Sequence, residues 1–287
     1  MNDDASRRVS RWLHGHPRSR LGALLALPIT WLVLAYLGSL IALFLTAVYT
    51  IDPFTSDIVT TVSGENFSEL ASESVYRAIT LRTIGIAAAV TVIDVLIAVP
   101  MALYIAKVAS ARTRRILVVA VLMPLWASYL VKGYSWRAIL DPGSGVLAKT
   151  FGGSPGFGSL ATIIGLSYLW LPYMILPIQA GLDRLPNSLL EASADLGGKA
   201  GTTIRRIVVP VLIPAIAAGT IFTFSLSLGD YITVQILGGK TQMIGNVVYA
   251  NFGANNIPFA AAFAIVPVAI MVGYLLAVRR TGAFENL

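Results

Sequence analysis

Long uncharged runs of apolar residues, separated by short polar stretches, dominate the hydrophobic pattern of this chain. The runs lie at about 21–51, 83–106, 116–131, 159–182, 207–228 and 258–278, and only the second contains a charge, at Asp94. A helix rises about 1.5 Å per residue, so about 20 apolar residues cross the roughly 30 Å hydrocarbon core of a bilayer. The pattern therefore predicts an all-α fold, a polytopic membrane helix bundle with six transmembrane helices.

The third run is the shortest of the six. It stays uncharged only from 116 to 131, and about 16 residues are slightly too few to cross the bilayer core. We therefore expect its helix to continue past Lys132 with an amphipathic end. Arg137 and Asp141 stand four residues apart and are expected to pair on such a helix.

Polar stretches between the runs are predicted to be loops. Residues 52–78 are polar and acidic, residues 142–158 are rich in glycine and proline, and residues 229–257 form a long connection with several asparagines. We interpret all three as external connections, the second of them irregular. The basic start of the chain resembles a signal peptide, but the apolar run that follows is about twice the usual 7–15 residues. We expect a retained first span.

Composition and charge agree with a membrane protein. The chain is 56% hydrophobic and 12% charged, with a net charge of +7. Of its 21 lysines and arginines, 15 lie in residues 1–20, 107–115, 184–206 and 279–280. This bias predicts that both termini and these loops lie in the cytoplasm, and it explains the basic charge without nucleic acid. We predict a cytoplasmic tail at 1–20, a six-span domain at 21–280 and a cytoplasmic tail at 281–287.

The residue types needed for several kinds of chemistry are missing. The chain has no cysteine, and its two histidines, His14 and His16, lie in the N-terminal tail. Neither a metal site nor a catalytic site is predicted. Gly238-Gly239-Lys240-Thr241 resembles the end of a phosphate-binding loop, but Val234 occupies the position that needs the first glycine. We expect no nucleotide or other cofactor on this chain.

One polar stretch, between the fourth and fifth runs, has a distinct pattern. Pro186 suits the first turn of a helix, and glycine at 197 and 198 suits its end. One face of that helix would hold Leu189, Ala192, Ser193 and Leu196. A short amphipathic helix, a glycine corner and a return to the membrane form a surface that another protein could hold.

The same stretch resembles a known motif. Glu191-Ala192-Ser193, three residues, Gly197, nine residues and Ile207-Val208-Val209-Pro210 resemble the EAA motif of ABC importer permeases, with serine and valine replacing an alanine and a leucine at 193 and 209. The resemblance implies a coupling loop at 183–206 that sits in a groove of separate ABC ATPase subunits, where ATP is hydrolysed. The implied coupling residues are Glu191, Ala192, Ser193, Asp195, Gly197 and Pro210.

Further segments resemble the spermidine/putrescine permeases. They are residues 123–136, 227–231, 238–240 and 243–246. The resemblance implies a type I ABC importer permease fold in a bacterial inner membrane, a second permease subunit in a heterodimer, and a periplasmic or extracellular solute-binding protein. It favours a polyamine as the solute. Another small organic solute, such as an amino-acid-like compound or an opine, stays open.

Acidic and aromatic residues are the candidates for the solute path. Asp94 and Asp230 could attract a cation, and the rings of Trp126, Tyr129, Tyr134, Trp136 and Tyr231 could surround an alkylammonium group. Each has a structural alternative. Asp94 could be hydrogen-bonded between helices, Asp230 could cap a helix or pair with Lys240, and the rings could form an interface belt.

Two other classes of membrane protein compete with the ABC permease. A secondary transporter or channel predicts relay carboxylates in the spans and symmetry between halves, but Asp94 is the only carboxylate in the runs and the sequence shows no internal repeat. A membrane scaffold without a transport role would need no cavity. The sequence favours the permease, which is not itself an enzyme.

Overall fold

The computed structural model describes residues 17–52 and 54–280, and nearly all of their regular structure is helical. The helices are α1 (Pro17–Trp31), α2 (Gly38–Ala47), α3 (Glu65–Ser72), α4 (Ser74–Leu103), α5 (Ala111–Trp126), α6 (Tyr129–Leu140), α7 (Val146–Phe151), α8 (Ser159–Arg184), α9 (Asn187–Asp195), α10 (Ala200–Thr203), α11 (Val209–Leu228), α12 (Ile232–Leu237), α13 (Ile244–Gly253) and α14 (Ile257–Arg279). Three π-helical segments, Leu32–Leu37, Tyr104–Val108 and Ile204–Val208, continue α1, α4 and α10. Two short strands, β1 (Thr50–Ile51) and β2 (Ile58–Val59), pair antiparallel.

The predicted polytopic helix bundle is confirmed. Within residues 17–52 and 54–280, five helices are long and apolar enough to cross a membrane, and the bent pair α5 and α6 meets the same test, which makes up to six spans. We number them in chain order as Leu24–Ala47, Ser74–Val108, the α5–α6 pair, Ser159–Arg184, Ala200–Leu228 and Ile257–Arg279. Helices suit these runs because every backbone group is then satisfied within the segment and needs no water.

Span three is not the single continuous helix that the sequence predicted. α5 and α6 meet at an angle of 99°, and Ala127 between them has an extended backbone. α6 lies against α12 instead, so closely that a Cβ on Gly133 would stand 2.8 Å from the Ile236 side chain. This packing, together with a hydrogen bond from Tyr129 to Asp230, holds α6 away from the direction of α5.

Spans two, four and five form the centre of the bundle. One apolar cluster joins them, with Ala98, Ala102 and Ile105 from span two, Met174, Ile175, Ile178 and Leu182 from span four, and Val208 and Leu212 from span five. Glycines allow the close approach of spans four and five: a Cβ on Gly181 would stand 2.8 Å from the Ala215 Cβ. Such small-residue contacts replace the hydrophobic driving force that is missing inside lipid.

The predicted external connections contain more regular structure than their composition indicated. Residues 52–78 hold β2, α3 and the start of span two; residues 142–158 hold α7; and residues 229–257 hold α12 and α13. α12, rather than a strand, precedes Gly238, so the frame of a phosphate-binding loop is missing there. Helices at the surface of a bundle can be stabilised by packing even where their sequences are rich in turn-forming residues.

Arg137 does not pair with Asp141 as the four-residue spacing predicted. Its guanidinium donates a hydrogen bond of 2.6 Å to the Ile236 carbonyl oxygen and lies over the Phe157 ring at 4.5 Å. The Asp141 carboxylate accepts hydrogen bonds from the Ser144 amide and hydroxyl, at 2.7 and 3.0 Å. Arg137 therefore ties α6 to α12, and Asp141 stabilises the turn after α6. Residues 1–16 of the predicted N-terminal tail at 1–20, which include both histidines, and the predicted tail at 281–287 lie outside the described residues. Residues 17–20 belong to α1.

Candidate functional site

The stretch between spans four and five folds as the predicted short helix and glycine corner. α9 covers Asn187–Asp195, and Pro186, in an extended conformation, immediately precedes it. Gly197 has a φ of +74°, a left-handed conformation that glycine adopts without steric cost and other residues do not. The chain then enters span five, which begins with α10. The π-helical segment Ile204–Val208 follows α10 and comes shortly before Pro210. Proline lacks the amide that would bond to the carbonyl four residues earlier, which disfavours a regular α-helix there.

A hydrogen bond across the glycine corner fixes α9 against α10. The hydroxyls of Ser193 and Thr203 lie 2.7 Å apart, and the Gly198 amide donates to the Ser193 carbonyl oxygen at 2.8 Å. A Cβ on Gly198 would stand 2.6 Å from the Ser193 hydroxyl. Ser193 therefore faces inward and not outward with Leu189 and Leu196, contrary to the predicted stripe. Sequence reasoning missed Thr203, because nothing in its position signals a partner ten residues away.

The two sides of α9 differ in exposure. Leu190 packs partly against the central apolar cluster, whereas Leu189 is 44% and Leu196 89% exposed. Glu191, Ala192 and Asp195 are also exposed. An exposed leucine pair beside two carboxylates, on a helix anchored to the bundle by its other side, is a surface that a partner groove could cover.

A second candidate site lies at the opposite end of spans four and five. A cavity of about 310 Å³ is lined by Tyr129, Trp170, Ser225, Leu226, Gly229, Asp230, Tyr231 and Ile232. It is called here the outer cavity because the charge bias predicts that this end of the bundle faces outward. Three predicted path residues, Tyr129, Asp230 and Tyr231, thus come together. Trp170 was not predicted as a path residue, because a tryptophan in a long apolar run gives no signal of the cavity it faces.

Asp230 is held firmly in the outer cavity. Its carboxylate accepts hydrogen bonds from the Thr233 amide at 2.8 Å, from the Thr233 hydroxyl at 3.2 Å and from the Tyr129 hydroxyl. The Thr233 amide lies in the first turn of α12, whose N-cap is Tyr231, so Asp230 binds the start of this helix from one residue before the cap. No ion pair with Lys240 is found among the described residues. Burial raises the pKa of Asp230, and the hydrogen bonds from Thr233 oppose that shift only in part.

Aromatic rings continue from the outer cavity along the surface of α12. Tyr129 and Trp170 have ring centroids 6.0 Å apart, and Tyr231 stacks on Tyr249 at 4.8 Å. A neighbouring cavity of about 650 Å³ is lined by Tyr134, Arg137, Tyr231 and Tyr249, among others. Tyr134 therefore lies beside the outer cavity, and Tyr249 joins the aromatic set although no sequence pattern pointed to it.

The remaining predicted path residues lie elsewhere. Trp126 is 88% exposed at the end of α5, and Trp136 packs edge-on against Tyr168 at 5.5 Å. Asp94 is fully buried in span two, and neither carboxylate oxygen has a hydrogen-bond partner among the described residues. The Ser167 hydroxyl on span four lies near the carboxylate but without good hydrogen-bond geometry.

The family model described as the binding-protein-dependent transport system inner membrane component matches residues 87–280, more than half of the chain. The chain belongs to this family of ABC transporter permeases. It is therefore a multi-pass inner-membrane subunit of an importer that works with a binding protein, and it is not an enzyme. A permease of this family carries the solute across the membrane and depends on other components of the system.

Named relatives agree with the family assignment. The chain is 41% identical to the inner membrane ABC transporter permease protein YdcU of Escherichia coli strain K12, over 98% of this chain and 95% of that protein. It is 31% identical to the spermidine/putrescine transport system permease protein PotB of Haemophilus influenzae, over 71% and 74%. The PotB protein of Escherichia coli strain K12 is 28% identical, over 77% and 83%.

A solved structure shares the fold. The chain superposes on a chain of a bacterial alginate ABC transporter, crystallised in complex with an alginate pentasaccharide-bound periplasmic protein, with a TM-score of 0.75. The match covers 93% of this permease and 96% of that chain at 17% sequence identity. At this identity the comparison supports the arrangement of helices and not the solute.

Proposed function

We propose that this permease imports a polyamine such as spermidine or putrescine. The observation that carries the proposal is the outer cavity, where the buried Asp230 carboxylate lies among the rings of Tyr129, Trp170 and Tyr231. A polyamine is a flexible chain of methylene groups with several ammonium groups. A carboxylate suits the ammonium group and aromatic faces suit both parts, each cation–π contact contributing about 0.5–2 kcal/mol.

Asp230 keeps its attraction for a cation although it is hydrogen-bonded. Its donors, the Thr233 and Val234 amides and the Thr233 and Tyr129 hydroxyls, are all neutral, so they orient the carboxylate without cancelling its charge. The aromatic residues Tyr134 and Tyr249, beside the outer cavity, extend the surface along which a long polyamine could lie.

Asp94 is the second carboxylate that we assign to the solute path. It lies in span two, fully buried and without a hydrogen-bond partner in the part of the chain that the structure describes, although a charge in the middle of a span is costly. We propose that the helices separate during transport and that an ammonium group then contacts Asp94. Such a carboxylate would have no hydrogen-bond partner in the conformation without solute. Trp126, at the bend of span three, and Trp136, in α6, stay in the proposal only as residues of this span.

The coupling loop is the proposed docking site for the ATPase. The exposed side of α9, with Leu189, Glu191 and Leu196, would enter a groove of a separate ABC ATPase subunit. Ala192 and Asp195 share this exposed surface, Gly197 makes the turn, and Pro210 lies at the return into span five. The other proposed partners are a second, different permease subunit and an external solute-binding protein. The proposed topology of this chain has a cytoplasmic tail at each end of the six-span domain.

Uptake by the reconstituted system tests the polyamine. The permease is purified with the ATPase, second permease and binding protein from the neighbouring genes, placed in proteoliposomes, and supplied with labelled spermidine, putrescine or an amino acid. We expect saturable, ATP-dependent uptake of a polyamine and loss of most of it in Asp230→Asn. Asp57→Asn, at an exposed aspartate between β1 and β2, is the control. If the binding protein binds neither polyamine and the proteoliposomes take up neither, the polyamine proposal is wrong.

Another small organic solute is the second candidate. The relative at 41% identity has no solute in its name, so the polyamine names belong to more distant relatives. In the same assay an amino-acid-like compound or an opine would replace the polyamine as the transported species. Dependence of uptake on the ATPase would separate both candidates from a secondary transporter.

The absence of cysteine gives a direct test of the proposed orientation. Single cysteines are introduced at Ala194 on α9 and at Gly153, both exposed; a Cβ at Gly153 would meet no atom within 4 Å. A membrane-impermeant thiol reagent should label the cysteine at 153 from outside intact cells and the cysteine at 194 only after the membrane is broken. Labelling in the opposite order would contradict the charge bias.

A further inference from the structure

The coupling loop is attached to span two as well as to spans four and five. Lys107 lies in the π-helical segment that ends span two. Its ammonium group donates to the Leu185 carbonyl oxygen at 2.8 Å and to the Asn187 side-chain oxygen at 3.1 Å. Leu185 lies two residues before Asn187, the first residue of α9, so one lysine holds the entrance of the coupling helix.

The position of Lys107 suits a cation. The carbonyl groups at the end of α8 have no partners further along the helix and form its negative pole. Leu185, which follows α8, is 3% exposed, so its carbonyl oxygen needs a donor from the protein. An ammonium group fills that need and gains a charge-assisted hydrogen bond. Lys107 itself is half-buried, which protects the bond from water.

A second polar contact lies beside the first. Arg114 of α5 and Asp183 of α8 form an ion pair of 2.7 Å, with 41% and 43% of their side chains exposed. Beneath both contacts, Leu190 of α9 packs against the apolar cluster that contains Ile105 of span two. Exposed ion pairs contribute little to stability. This ion pair would therefore serve to hold α5 in position against the end of α8, and not to stabilise the fold.

We propose that Lys107, Arg114, Asp183 and Asn187, called here the inner brace, make residues 104–115 move together with the coupling loop. The covalent chain connects α9 only to spans four and five. The inner brace adds a direct attachment of α9 to span two through Lys107 and Asn187, and of α5 to the end of α8 through Arg114 and Asp183. A displacement of α9 by the ATPase therefore reaches span two directly as well as spans four and five. This inference rests on the proposed docking of the ATPase on α9. Lys107 acts as a positioning residue within it.

Lys107→Met tests the brace because methionine keeps the apolar stem and loses every hydrogen-bond donor. In proteoliposomes with the complete transporter, we expect ATP hydrolysis to continue while the solute transported per ATP falls by at least about fivefold, a ratio that general destabilisation would not change. Arg112→Met is the matched control, since Arg112 is an exposed cation at the start of α5 with no ion pair to α9 among the described residues. Equal ratios in the two variants would overturn the proposal.

A charge exchange gives a second arm that does not depend on Lys107. Arg114→Asp alone should reduce the transport ratio, because two carboxylates then face each other. Adding Asp183→Arg restores an opposite-charge pair and should restore the ratio. If the double variant transports no more solute per ATP than Arg114→Asp alone, the pair has no role in coupling.

A distance measurement checks the brace without transport. Spin labels are attached to cysteines introduced at Ala111 and Ala194, which are both exposed in a chain without native cysteine. With the brace intact, the distance distribution between α5 and α9 should stay narrow and unchanged between nucleotide-free and ATP-bound transporter. In Lys107→Met it should broaden or shift. An unchanged distribution in that variant would refute coupled movement.

A variant of α9 itself distinguishes failure of the inner brace from failure of the proposed ATPase docking. Glu191→Lys is measured in parallel, as a change on the exposed side of α9. If Glu191→Lys uncouples and Lys107→Met does not, only the brace is wrong. If neither variant changes ATPase assembly or the transport ratio, the docking proposal fails with it.

Discussion

Replacing Gly197 with alanine isolates one physical effect in the coupling loop. Gly197 has a φ of +74°, and a Cβ there would meet no atom within 4 Å. The cost of Gly197→Ala is therefore torsional, about 1–2 kcal/mol for an L-residue in the left-handed region. Since 1.4 kcal/mol is about a factor of ten in an equilibrium constant, the corner should open about 5- to 30-fold more often.

Two matched variants test whether backbone conformation causes the destabilisation expected of Gly197→Ala. A Cβ on Gly201, in α10 of the same loop, also meets no atom within 4 Å, but its backbone is helical. Gly201→Ala should therefore stabilise the loop by up to about 1 kcal/mol. Gly197→Asn should cost less than Gly197→Ala, although asparagine is larger, because asparagine tolerates the left-handed conformation.

Trypsin provides a direct assay of the opened corner. Lys199, Arg205 and Arg206 are exposed cleavage sites next to it. When opening is fast relative to cleavage, the cleavage rate follows the population of the open form. In inside-out vesicles we expect Gly197→Ala to be cut about 5- to 30-fold faster than the parent, Gly197→Asn less so, and Gly201→Ala no faster.

Transport in the reconstituted complex should follow the same order. Insertion into the membrane should be normal in all three variants, while solute transported per ATP falls most in Gly197→Ala. Equal behaviour of Gly197→Ala and Gly201→Ala would refute the torsional reasoning. A larger loss in Gly197→Asn than in Gly197→Ala would mean that side-chain contact with a partner, and not backbone conformation, decides the effect.

Three further predictions concern single side chains. Ser193→Ala removes the hydroxyl bond to Thr203 and should weaken the corner by about 0.5–1.5 kcal/mol, seen as faster tryptic cleavage, with the exposed Ser188→Ala unchanged. Because burial raises the pKa of Asp230, lowering the external pH from about 7.5 to about 5.5 should neutralise this carboxyl earlier than an exposed aspartate. Uptake should then fall while the polyamine stays charged, and a pH profile in Asp230→Asn as steep as in the parent would contradict this. Asp94→Asn should leave insertion and ATP hydrolysis intact and reduce polyamine uptake by at least about tenfold; normal uptake would remove Asp94 from the solute path.

The spans and the coupling helix were predictable because their signals are local. An uncharged run of about 20 residues has few alternatives to a helix in lipid. α9 was predictable for a similar reason, since Pro186 and Gly197 restrict the backbone at each end of it by their own chemistry. The direction of Ser193 was not, because it depends on Thr203, a partner beyond the corner.

The outer cavity could be predicted only in part. Tyr129, Asp230 and Tyr231 were selected as residue types that suit a cation, and they meet at one cavity. Trp126 was selected on the same grounds and lies exposed at the end of α5. Residue type alone does not say which side of a helix faces inward when the whole run is apolar. Trp170 was missed for the same reason.

The sequence by itself determined a polytopic membrane helix bundle with about six apolar runs and the location of the loop with the glycine corner. These follow from hydropathy, charge bias and the backbone preferences of proline and glycine, all of which act within a few residues. Only the tertiary structure decided the bend between α5 and α6, the partner of Arg137 and the attachment of Lys107 to the coupling loop. Each depends on residues about 80 to 100 positions apart, whose meeting is set by the packing of whole helices and leaves no mark in the local pattern.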